Sequence, residues 1–135
     1  MILLDTSFLI AYFNQRDENH QKAINLVKNI VDQKFGSLYT TDYIFNETVT
    51  VSLIRMKSLE RAKSIGNILL KALEMIQIGE GVFLEAWKIF QSQKGTRFGF
   101  TGCTTIATMR HGGINNIATF DKDFTKIREI NCIGL

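Results

Sequence analysis

The 135-residue chain has no proline, only two cysteines and two histidines, and a single tryptophan. Without proline it lacks one of the strongest marks of element ends, so boundaries rest on glycines, capping residues and periodicity. Cys103 and Cys132 are too few for a disulfide framework and lack zinc-ligand spacing. They are expected as reduced small hydrophobes. His20 and His111 fall on or beside helices, far in sequence from the acidic residues considered below, and are expected at the surface or at helix ends. No apolar run approaches the ~20 residues that cross a bilayer, so no membrane partner is expected. The opening MILLDTSFL has no basic leader and carries Asp5 inside its apolar stretch. It reads as a first strand rather than a secretory signal, with the cytoplasm as the expected compartment. Internal repeats, low-complexity tracts and linkers are missing too.

What is present is an ordinary globular balance, 45% apolar and 21% charged. Residues 1–135 are expected to form a single domain around one core. The net charge of +3 permits a nucleic-acid partner without requiring one. Basic residues gather at Arg55, Lys57, Arg61 and Lys63, and again at Lys122, Lys126 and Arg128. Each group is equally well read as a solvated face.

Short apolar runs alternate with longer helical ones. Strands are expected at Ile2–Leu4, Ser37–Thr41, Met75–Ile78 and Asn116–Thr119, with a fifth, at an edge, at Ile130–Ile133. Helices are expected over Thr6–Phe13 and about Asp17–Gln33, where Ala23, Leu26, Val27, Ile30 and Val31 recur at helical spacing. A third opens at an Asp42 cap and runs through Ile54; a fourth spans Ser58–Leu73. Phe83, Ala86, Trp87 and Phe90 are expected as the inner face of a fifth, and a sixth ends at Gly112 and Gly113. Strands separated by helices point to α/β architecture, a mostly parallel sheet covered on both faces.

In such sheets chemistry gathers at the carboxyl ends of the strands, where strand order reverses. Asp5 closes the first strand, and Asp121 follows the fourth in ATFDKDF, with Asp123 two residues on. If these strands are neighbours, the carboxylates converge on one edge. Glu47 lies in a helix among Ile44, Val51 and Ile54, where partial burial calls for pairing or a cation. Each acid has a plain structural alternative: Asp5 as a helix cap, Asp121 in a turn, Asp123 as a cap, Glu47 facing solvent. Together they form a cluster that a cation would relieve, and oxygen-only ligands favour Mg²⁺ or Mn²⁺ over zinc.

DTSFLIAYF at the first strand, the helical Asn46–Glu47 pair, FTGCTTIATMRHGGI and IATFDKDF together resemble PIN-domain ribonucleases, most closely VapC-type toxins of toxin–antitoxin pairs. The resemblance runs from Asp5 to Phe124 in the family's order. It implies a PIN-like three-layer α/β/α fold with a four- to five-stranded sheet, and a metal-dependent endonuclease acting on RNA. It implies an acidic site of Asp5, Glu47 and Asp121 around Mg²⁺ or Mn²⁺, with Asp123 assisting and Thr6 and Thr119 as flanking hydroxyls. Arg97, Arg110 and Lys122 are expected to contact RNA phosphates. An antitoxin partner and a homodimer are also implied, with Arg55–Leu73 a place for either contact.

One position departs from the pattern. The family's third acid belongs between Thr101 and Cys103, and here that position is Gly102. Glycine within a helix costs roughly 0.5–1 kcal/mol relative to alanine. Four explanations stand: a change that silences a toxic nuclease, the natural residue of a degenerate member, a site whose remaining acids suffice, or a close approach of another segment for which the sequence offers no partner. Gly102→Asp is expected to raise Mg²⁺-dependent RNA cleavage, whereas cutting by both forms would show that the remaining acids suffice. The rival functions are a non-catalytic module binding RNA or an antitoxin, and another α/β enzyme with an acidic Mg²⁺ pocket. A receiver domain wants paired acids after the first strand, and a haloacid-dehalogenase-like phosphatase wants D-x-D there; Thr6 and Ser7 follow Asp5 instead.

Overall fold

Ile2, Leu3 and Leu4 are all buried, as a strand covered on both faces requires, and they form β1 (Ile2–Leu4). The computed structural model describes residues 1–32 and 35–135. Among them, β1 is followed by α1 (Thr6–Phe13), α2 (His20–Val31), β2 (Leu38–Thr41), α3 (Asp42–Met56), α4 (Leu59–Ala72) and β3 (Glu74–Ile76). Then come α5 (Glu80–Gln91), α6 (Phe100–Gly112), β4 (Asn116–Ala118), a 3₁₀ turn (Lys122–Lys126) and β5 (Asn131–Ile133). The strands lie in the order β3-β2-β1-β4-β5, every pair parallel. Strand order therefore reverses between β1 and β4, where Ile2 pairs with Asn116 and Leu4 with Ala118.

The core runs from β1 through α6, which is buried continuously from Cys103 to Met109. Thr104 and Thr105 are tolerated there because they donate their hydroxyls to the Thr101 carbonyl one turn back. Gly113, at φ 65°, ends the helix as its sequence predicts. Among the described residues no helix is long and apolar enough to cross a membrane. Cys103 and Cys132 are free thiols, the first buried and the second half-buried.

Several expectations shift. The second helix begins at His20, not Asp17: Asp17 accepts from the Asn19 amide in a turn that precedes the helix. Its expected end at Gln33 lies outside the described residues. Thr41, not Asp42, caps α3, because Thr41 ends β2 in extended backbone and its hydroxyl accepts from the Ile44 amide. Asp42 instead ties the loop after β3, accepting from the Ile78 amide at 3.1 Å. Ile54 does not share Glu47's environment; it is 68% exposed.

The largest correction concerns α5. Of its four expected inner residues only Ala86 is buried; Phe83, Trp87 and Phe90 are exposed. Val82 and Ile89 pack on the core in their place, and the three aromatics cluster around Phe100 at the start of α6. The apolar residues of α5 wrap more than one face, so spacing alone does not identify the inward one.

Candidate active site

Asp5 emerges from β1 at the point of reversal, its amide bonded to the Ala118 carbonyl of β4. It precedes α1 but its side chain makes no capping hydrogen bond to that helix. The carboxylate, 6% exposed, turns toward the end of β4, where Thr119 donates to Oδ2 at 2.9 Å and Ser7 donates to the same oxygen at 3.0 Å. Ser7 and Thr119 are themselves 3.1 Å apart. Burial raises the Asp5 pKa from 3.8 to about 6, against the opposing effect of the two hydroxyls, and the neighbouring charge of Asp121 adds to the rise.

The same hydroxyls shape the opposite strand's exit. Ser7 accepts from the Phe120 amide and Thr119 from the Asp121 amide, both at 3.0 Å. Asp121 then caps the 3₁₀ turn, accepting from the Asp123 amide at 3.0 Å. Asp123 faces another way. One oxygen accepts from Lys126 Nζ at 2.9 Å and the other from the Arg97 amide at 2.8 Å, and these bonds hold its carboxyl below the usual carboxylate range. It pins the loop before α6 to the turn after β4.

Asp5, Glu47 and Asp121 line one open cleft of about 350 Å³, together with Thr6, Ser7, Phe98, Gly102 and Phe124. The Thr6 hydroxyl, in a residue 6% exposed, has no hydrogen-bond partner among the described residues. From α3 come Glu47, Val51 and Arg55, spaced i, i+4, i+8 on one stripe. Asp17 and Glu18 of the α1–α2 connection complete an acidic wall.

Asp5, Thr6, Glu47 and Asp121, brought from opposite ends and the middle of the chain, thus line one cleft where strand order reverses. Sequence reasoning did not single out Ser7 as a hub, nor Arg55 as the basic side chain in the cleft wall. Arg55 carried a faint signal: it lies two helical turns beyond Glu47. Arg97, Arg110 and Lys122 do not line the cleft. Arg110 sits near the far end of α6, bonded to Glu129 at 2.7 Å. His20 binds the Ala11 carbonyl at 2.8 Å and His111 meets Glu85 at 2.6 Å, both at helix ends as expected.

Gly102 lines the cleft in the first turn of α6. Its neighbour, which the sequence did not disclose, is the ring of Phe98: a Cβ on Gly102 would stand 2.9 Å from Phe98 Cδ1.

Among the described residues, no three His, Cys, Asp or Glu side chains stand together so that they could hold a metal ion. The donor set suits a different mode of binding. Mg²⁺ keeps several waters and is held through one or two carboxylates plus substrate phosphate, which an open cleft with a desolvated aspartate and an unpartnered hydroxyl accommodates.

The sequence model of the PIN domain matches residues 2–130. The 23S rRNA-specific endonuclease VapC20 of Mycobacterium tuberculosis is 29% identical over 126 residues, which is 93% of this chain and 92% of that protein. A VapC ribonuclease of Archaeoglobus fulgidus is 27% identical over 92 residues, 67% of this chain, and the match spans 58% of that relative. The crystal structure of VapC20, described as a toxin that cleaves the sarcin–ricin loop, superposes with a TM-score of 0.82 at 26% identity, covering 94% of this chain and 95% of that one.

Proposed function

The chain belongs to the PIN-domain family, and from that premise we propose that it is a toxin-type endoribonuclease whose site is the cleft of Asp5, Glu47 and Asp121, served by Mg²⁺ or Mn²⁺. The observation that carries the reading is the convergence of these three carboxylates at the β1–β4 reversal. A divalent ion held there supplies a more acidic bound water and neutralises charge on the phosphate oxygens. The chain's own groups do the positioning. Thr119 and Ser7 fix the Asp5 carboxylate, Asp121 stands on the turn that Thr119 orders, and Glu47 closes the cleft from α3. Arg55 offers an anionic substrate a positive partner beside a largely acidic wall. Asp123 belongs to this reading through the Arg97 amide, by which it orients the loop before α6.

RNA is the substrate class in this reading, supported by the ribosomal RNA named for the relative that matches nearly the whole chain. Single-stranded loops expose the bases and backbone that a cleft of this size can reach. An antitoxin and a second copy of the chain are the expected protein partners. The exposed Leu53, Leu59 and Leu70 between α3 and α4 lend support to a contact there.

The test is cleavage of an RNA pool containing 23S rRNA, with Mg²⁺, Mn²⁺ or EDTA, by the protein and by Asp5→Asn. Metal-dependent cutting lost in Asp5→Asn is the expected result. Gly102 in the cleft favours a second reading, a non-catalytic module that binds RNA or an antitoxin. In that case no cutting occurs and Asp5→Asn leaves binding unchanged.

A further inference from the structure

Gly102 has ordinary helical backbone, so no left-handed torsion demands glycine at this position. What a side chain there would meet is Phe98. A Cβ at position 102 would lie 2.9 Å from Phe98 Cδ1, 3.3 Å from its Cβ and 3.4 Å from its Cγ. Carbon atoms rest at about 3.5–4.0 Å. Phe98 is 4% exposed and meets the Phe124 ring edge-on at 4.8 Å.

Its backbone is clamped as well. The Phe98 amide donates to Gln93 Oε1 at 2.7 Å, and Gln93 Nε2 donates back to the Phe98 carbonyl at 2.9 Å. Thr96 holds the same Gln93 oxygen at 3.0 Å. The ring therefore occupies the space above the first turn of α6, on the cleft wall shared with Asp5, Glu47 and Asp121.

We propose that Phe98 and Gly102 are a matched pair: the clamped Phe98 ring excludes any side chain at position 102, so that this chain's cleft works with three carboxylates, and a fourth is admitted only when the ring gives way. Phe98 is thus a positioning residue that sets the number of oxygen ligands the site can present. The inference rests on the cleft reading above, and it changes what Gly102→Asp alone achieves. That single substitution places a carboxylate against a locked ring, strains the loop that leads into α6, and does not deliver the added ligand.

The experiment pairs substitutions at the two positions. In metal-free buffer, thermal unfolding is followed for the unsubstituted protein, Gly102→Ala, Phe98→Leu and the double variant. Alanine for glycine inside a helix ordinarily raises stability. Here Gly102→Ala is expected to lower Tm by at least about 3 °C. In the Phe98→Leu background, whose side chain can rotate away, the same change leaves Tm unchanged or raises it. Calorimetry with Mn²⁺ then compares Gly102→Asp alone with Gly102→Asp/Phe98→Leu. The double variant is expected to bind about tenfold more tightly than Phe98→Leu, and Gly102→Asp alone to stay near the unsubstituted protein. A rise in Tm for Gly102→Ala in the unsubstituted background, or the same shift in both backgrounds, overturns the pairing. So does full Mn²⁺ gain in Gly102→Asp alone with no fall in Tm. Coupled Tm values with no Mn²⁺ binding in any variant support the pairing and overturn the metal reading instead.

Discussion

The Thr119 hydroxyl donates to Asp5 Oδ2 at 2.9 Å, joining residues 114 positions apart across the line where the sheet reverses. The same oxygen of Thr119 accepts from the Asp121 amide, so one hydroxyl orients both carboxylate-bearing segments. Parallel pairing of β1 with β4 makes that contact unavoidable, because both strands end at the same level.

Thr119→Val keeps the shape and removes the hydroxyl. It strips Asp5 of a donor and the Asp121 amide of its acceptor in a fully buried position. The expected loss is about 1–3 kcal/mol in urea unfolding, together with reduced RNA cleavage. Thr119→Ser, which restores the hydroxyl, recovers most of the activity.

Asp5 makes stability depend on pH in the metal-free protein. Its folded pKa of about 6 lies above the unfolded 3.8, so between these values the folded state binds more protons and stability falls as pH rises. The full contribution is on the order of 3 kcal/mol. Below about pH 4 both states are protonated and the effect vanishes; above about 6 it is complete. Asp5→Asn, followed by thermal unfolding in EDTA, gains stability on the parent across this window. A constant difference from pH 4 to 7 contradicts the assignment.

Arg55→Ala is expected to weaken RNA binding with little change in fold. One lost phosphate contact lowers the slope of log affinity against log salt by about 1. Arg55→Lys retains the charge and most of the slope. Fluorescence titration of a labelled single-stranded RNA at several salt concentrations measures both.

Arg110→Ala serves as the contrasting case. Its guanidinium is engaged by Glu129, whose carboxyl it holds below the usual range, away from the cleft. The pair is half-exposed, so its loss is expected to shift unfolding by less than about 1 kcal/mol and leave RNA affinity unchanged.

Much of the candidate site is legible in the amino-acid sequence. Asp5 directly follows the apolar triplet of β1, Asp121 follows β4 after Thr119 and Phe120, and their convergence on one cleft follows from β1 and β4 being neighbours. Glu47 is placed on its helix by the apolar residues around it. Phosphate contacts are harder to read, since charge density along the sequence says nothing about which basic residues already have acidic partners. Arg110 is drawn off by Glu129, while Arg55 lies on the Glu47 stripe.

By itself the sequence determined the alternation of strands and helices and the acids that follow strands, while the family resemblance marked Gly102 as the place of an expected acid. These are local properties, set by hydrophobic period and capping chemistry within a few residues. Tertiary structure alone decided that Ser7 and Thr119 share Asp5, that the aromatics of α5 turn outward, and that Phe98 lies over Gly102. Each depends on where a distant segment or a clamped loop comes to rest. A periodic apolar stripe states that a surface will be covered, and packing decides by what.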